Sequence, residues 1–132
     1  MINVVKSSLA VLIATLGHFL GGFDTMMITL LIFMLLDYIS GVMVAIKKKK
    51  LCSKVGFVGI GRKILILILV GMGNLLGSAI NIEGIRYLVI AFYLANEGIS
   101  IIENAGKFGL KIPKKLTEIL EQLNEEGSDV HE

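Results

Sequence analysis

The chain has 132 residues, is 55% hydrophobic and 18% charged, and has a mean hydropathy of +0.80. Soluble domains of similar size are about 45–50% apolar and about 25% charged, so this balance excludes an ordinary soluble domain and points to a small membrane protein without a second domain. The net charge is only +2, and the single cysteine, Cys52, excludes an internal disulfide.

Four apolar runs follow in chain order, at about 4–20, 26–46, 64–82 and 85–106. Each is near the ~17–25 residues that a helix needs to cross ~30 Å of hydrocarbon. No sustained alternation suggests strands, so the predicted fold is all-α, with four transmembrane helices. The first run has one lysine before it but no small-x-small cleavage site before Asp24, and is read as a span and not as a cleaved signal. "GGFDT" links runs one and two, "KKKKLCSKVGFVGIGRK" (47–63) runs two and three, and "NIEG" runs three and four.

The linker 47–63 carries Lys47, Lys48, Lys49, Lys50, Lys54, Arg62 and Lys63, seven of the thirteen basic residues. Positive residues are retained in the cytoplasm, which places this predicted loop and both termini inside. Lys6, Lys107, Lys111, Lys114 and Lys115 then also fall inside, leaving Arg86 outside with Asp24 and Glu83.

Polar residues interrupt the later runs. Asp37 lies ten residues before Lys47, Glu97 ten before Lys107, and Asn74 eleven after Lys63. At ~1.5 Å per residue this predicts all three near mid-membrane. No Lys or Arg is predicted at that depth, so burial should favour protonated acids donating to Asn74, Asn96 or Ser100. Asn96, Ser100, Glu103 and Lys107 recur on one helical face, with Glu97 and Asn104 beside it and Glu103 able to pair with Lys107. Such a stripe can glue one bundle together, or it can face neighbouring copies and water.

Gly17 with Gly21, Gly41 with Ala45, and Gly73 with Gly77 have the small-xxx-small spacing that lets helices approach closely. The last helix should break after Gly106 and Gly109. A short amphipathic helix over 113–126 then begins at Pro113, carries Leu116, Ile119, Leu120 and Leu123 on one side, and is expected at the cytoplasmic surface or against a partner copy. The acidic tail "EEGSDVHE" reads as a solvated end.

No catalytic constellation, cofactor motif or metal-ligand spacing appears, and His18 and His131 stand apart. The basic stretch beside two spans is a topology signal touching anionic lipid, with no nucleic-acid partner implied.

Three blocks resemble the toxin-secretion/phage-lysis holin family of Gram-positive bacteria and their phages: "LLDYISGVMVAIKKKKL", "SKVGFVGIGRKILILILV" and "FYLANEGISIIENAGKFGLKIPKKL". They cover about residues 30–123; Lys111 departs from the pattern, where members often have a second proline. The resemblance implies a non-enzymatic protein of the bacterial cytoplasmic membrane. Such proteins self-assemble into lesions that release an endolysin or a large toxin without needing to touch it. Asp37, Asn74 and Glu97 would form the critical polar layer, with the basic loop and terminal helix tuning timing. An internal start at Met26 or Met27 would give a product lacking the first span, although methionine is also common in spans. Two rivals stand beside this reading: a small proton- or cation-coupled transporter using Asp37 or Glu97, and an adaptor that recruits a partner through 113–126.

Overall fold

A computed structural model describes residues 1–128; the end of the acidic tail, with His131, lies outside the described residues. The chain forms five helices and, among the described residues, no strand: α1 Ile2–Leu20, α2 Thr25–Lys47, α3 Ser53–Ala79, α4 Ile85–Phe108 and α5 Lys114–Ser128. The first four are long and apolar enough to cross a membrane.

Helix ends follow local chemistry. Asp24 caps α2 by accepting from the Met27 N–H at 3.0 Å. Gly21, at φ +84°, ends α1, and the next amide, that of Gly22, donates back to Gly17 O at 2.7 Å. Gly109, at φ +116°, ends α4, while Gly106 stays helical.

One boundary differs from the hydropathy reading. The stretch 53–63, expected as part of a loop, is the first eleven residues of α3, so only a short turn separates it from α2. Its glycines disfavour a helix by about 1 kcal/mol each. A tertiary contact offsets this: the Tyr38 side chain lies across Gly56 and Gly59, where added Cβ atoms would sit 3.3 and 3.5 Å from it. Lys54, Arg62 and Lys63 are therefore helical residues, and only Lys48–Lys50 lie in the turn.

Among the described residues α4 is the centre of the molecule and packs on α2, α3 and α5, whereas α2 and α3 meet more lightly and α1 packs mainly on α3. α2 and α4 run in the same direction. Asp24 and Arg86 meet at their starts, and Lys47 Nζ reaches Phe108 O at 2.6 Å at their ends. Each of the three has an inward seam with steps of three and four: Met27, Leu30, Met34, Asp37, Gly41 and Val44 on α2; Gly56, Gly59, Lys63, Ile66, Val70 and Gly73 on α3; Arg86, Ile90, Tyr93, Glu97, Ser100 and Asn104 on α4. This spacing keeps one face of each helix toward its neighbours over many turns. Away from the lysine-rich end the seams are apolar, with Met27, Leu30, Val70 and Ile90 fully enclosed.

α5 does not lie apart from the spans. After Gly109 the chain reverses, and Leu120 seats on Gly98 of α4, where a Cβ would lie 3.2 Å from Leu120 Cδ1 and 3.5 Å from Phe33 Cε2. Gly98 provides the notch that allows this return. Leu116, Ile119 and Leu123 stay about half-exposed.

Candidate functional site

The three seams change character at one level, where each contributes a charge. Lys63 of α3 donates through Nζ to both Asp37 Oδ2 of α2 and Glu97 Oε2 of α4. The side chains are 16%, 15% and 4% exposed respectively, so the group is largely shielded. This corrects the expectation that no basic residue lies at the depth of the acids. Depth was reckoned with Lys63 at the end of a span, but α3 begins ten residues earlier and carries Lys63 into the bundle. A signal for this was present: Gly56, Gly59 and Lys63 continue the inward stripe of Ile66, Val70 and Gly73 toward the N-terminus.

Asn104 completes the group. Its Nδ2 donates to Ser40 Oγ at 2.9 Å and to Asp37 Oδ1 at 3.3 Å. Asp37 thus takes bonds from two helices, while Glu97 is the most deeply buried acid. Two carboxylates share one ammonium, so the fully ionised group carries one net negative charge among apolar helices. Buried pairs of this kind lose about 3–5 kcal/mol when one partner is removed, because an uncompensated charge remains.

The inward face of α4 is Glu97, Ser100 and Asn104, not the whole predicted stripe. Asn96 is half-buried beside it, while Glu103 and Lys107 are exposed, and no ion pair joins those two. Glu103 is one position before Asn104 and turns about 100° off the seam, while Lys107 keeps the seam's spacing but falls in the last turn of α4, where it is exposed.

Asn74 also departs from the predicted layer. It lies toward the opposite end of α3, where its Nδ2 donates to Phe19 O at 3.1 Å at the end of α1. There it joins a second polar group that the sequence reading did not assemble. Arg86, 7% exposed, donates from Nε to Leu20 O, from Nη2 to Gly22 O at 2.9 Å, and from Nη1 to Asp24 Oδ2 at 2.7 Å. The guanidinium hydrogen-bonded to Asp24 holds that carboxyl below its ordinary pKa. Arg86 and Asn74 together satisfy carbonyls at the end of α1, where a cation also suits the helix dipole.

The paired small residues serve different contacts. Gly21 is the point where Arg86 and Asn74 approach, and a Cβ there would lie 2.5 Å from Arg86 Nε and from Asn74 Oδ1. Gly17 faces the Phe23 ring, Gly73 faces Val89, and Gly77 faces Ile82 O. Gly41 lies near Asn104, and with Ala45 it borders a crevice between α2 and α3. Among the described residues no three His, Cys, Asp or Glu side chains form a metal-holding group.

Comparison with known proteins bears on what a charged seam inside four spans can serve. A protein of Clostridium perfringens described as an uncharacterized 14.9 kDa protein is 40% identical over 94% of this chain and 96% of its own length. An uncharacterized protein of Listeria innocua is 38% identical over 90% of this chain and 86% of its own. A protein of Bacillus phage phi105 described as a probable holin is 33% identical over 74% of this chain and 73% of its own. No solved structure matches. The family model of the bacteriophage holins matches residues 14–125, a stretch that takes in Asp37, Lys63, Glu97 and the Arg86 group alike. Four apolar helices, a charged seam and that match agree: the chain belongs to the bacteriophage holin family.

Proposed function

We propose that this protein is a holin that accumulates in the bacterial cytoplasmic membrane, self-assembles there and opens a timed lesion. The lesion releases an endolysin or a large toxin and leads to lysis, with no enzymatic step and no cofactor. The observation that carries this reading is the Asp37–Lys63–Glu97 group within the spans of a holin-family chain. In a single copy these charges are satisfied by one another. Separating them in a dry interior is unfavourable, but the penalty falls when water can solvate them. Assembly that turns the seams of several copies toward a shared aqueous space therefore exchanges internal ion pairs for hydration. Asp37, Glu97, Ser100 and Asn104 would line that space, with Asn96 beside them. Asn74 is not assigned to this layer, because it serves the end of α1.

The basic residues support an orientation with the α2–α3 turn and the starts of α1 and α5 on the cytoplasmic side. The test is induced expression in a bacterium, with and without a co-expressed cytosolic muralytic enzyme. Turbidity, membrane potential and release of a folded cytosolic reporter would be followed together. A delay, then abrupt depolarisation, reporter release and enzyme-dependent lysis is the expected result. Intact potential and no lysis despite membrane insertion would overturn the reading. Saturable flux in intact cells would instead favour a carboxylate-coupled transporter.

A further inference from the structure

Two members of the charged group, Asp37 and Lys63, line a crevice. A cavity of about 200 Å³ lies between α2 and α3 near the lysine-rich turn; its lining is mixed, with Asp37, Arg62, Lys63, Ser100 and Asn104 beside the apolar Val42, Ala45, Leu51 and Val55. Several waters fit such a volume, where Asp37, Lys63, Ser100 and Asn104 offer polar partners. The two helices meet lightly overall, and three of the wall residues are glycines, with the Tyr38 ring lying across Gly56 and Gly59.

The opposite half of the same seams has a different surface. Beyond the charged level come Met34 and Ile66, then Leu30, Val70 and Ile90, then Met27 and Leu20, all less than a tenth exposed. Among the described residues this series is apolar up to the Arg86 and Asn74 group at the far end, with the half-buried Tyr93 packed against it. An apolar space of this kind stays dry, whereas a polar one admits water.

We propose that the crevice is a water-filled vestibule, open at the lysine-rich end and closed at Asp37–Lys63–Glu97, so that each single copy already contains half of an aqueous path. The apolar half, from Met34 to Leu20, is then the whole barrier. The vestibule also explains how the group can carry a net charge within a span, since water reaches it from one side. This inference concerns the resting single copy and stands apart from the holin reading, which concerns assembly.

Cysteine accessibility tests it in the full-length chain in sealed membrane vesicles of both orientations. The native Cys52 is exposed and begins α3 without a side-chain cap bond, so Cys52→Ser gives a reagent-silent background without removing a contact. Into it go Ser100→Cys and Ala45→Cys on two vestibule walls, and Val70→Cys and Ile90→Cys in the apolar half. Each is treated with a membrane-impermeant thiosulfonate and compared with its total thiol after denaturation. The expected result is modification of both vestibule cysteines at least ten-fold faster than the two apolar-half cysteines, and only from the lysine-rich side. A negatively charged reagent should outpace a positively charged one at Ala45→Cys, and the advantage should shrink with salt, because the rim is basic. Vestibule cysteines as slow as Ile90→Cys would overturn the proposal, since they would mean that lipid chains or close packing fill the crevice. Equal rates from both sides would also overturn it, since the path would then be continuous. Neither failure depends on lysis, so neither can be confused with failure of the holin reading.

Discussion

Among the described residues, two cationic side chains are drawn into polar groups within the bundle, Arg86 and Lys63, and the groups are built on opposite principles. Arg86 is saturated: its guanidinium meets two backbone carbonyls and one carboxylate, and that carboxylate also caps α2. Lys63 is oversubscribed, with one ammonium between two carboxylates from two other helices. The first group has its charges matched and lies among turns at the helix ends. The second leaves an excess negative charge in the middle of three long helices, beside a crevice. A saturated clamp suits a junction that stays closed, and an unbalanced cluster suits a contact that can be given up when water or another copy offers better solvation.

Substitutions should separate the two groups. Lys63→Met leaves Asp37 and Glu97 facing each other without a counter-ion, and a loss of about 3–5 kcal/mol is expected. Unfolding of the purified protein in detergent would show it, and in cells the onset of depolarisation should come early or the protein should fail to accumulate. Adding Asp37→Asn and Glu97→Gln should restore most of the stability, because no unpaired charge is left. If Lys63→Met alone is as stable as the parent, the cluster is not an energetic unit.

Arg86→Met should have a smaller effect, about 1–3 kcal/mol for buried carbonyls left without donors. Its signature is local: amide exchange should rise at the end of α1, which the guanidinium ties to α4, while α2 and α4 keep their protection. Equal loss of protection in α4 would show that the clamp supports the whole bundle.

Acid should act on this same group. The folded state favours ionised Asp24, so its contribution is present above the ordinary carboxylate range of about 4 and is lost as pH falls through and below it. Exchange at the end of α1 should therefore rise in acid, and Asp24→Asn should remove that step. An unchanged acid step in the variant would assign it to another group.

The smallest effects are expected off both groups. Gly98→Val should push Leu120 from its notch at a cost of about 1 kcal/mol, which protease sensitivity of α5 would reveal. Glu103→Gln, on an exposed side chain with no ion pair, should change stability by less than about 0.5 kcal/mol. A large effect of Glu103→Gln would show that assembled copies bury a face that the single chain leaves open.

The number of helices, their order and their suitability as spans were legible in the sequence, because hydropathy over about twenty residues is set by composition and needs no partner. The helix break at Gly109 before the turn into α5 was legible for the same local reason, whereas the Asp24 cap of α2 emerged only with the structure. That Asp37 and Glu97 share a level could also be reckoned, since helical rise converts position into depth. The fate of Lys63 could not be obtained that way. A lysine among glycines beside a lysine run reads as a loop end, and only contacts 26 and 34 residues away make it the counter-ion of a buried pair. Nor does a hydropathy window show that α1 would pack mainly on α3, that Asn74 and Arg86 would serve the end of α1, or that α5 would fold back onto Gly98. The sequence by itself determined which segments leave water, because that depends on each segment's own surface. Tertiary structure decided which charges compensate one another, because a buried charge is stabilised by whatever the fold brings within a few ångströms and not by its neighbours along the chain.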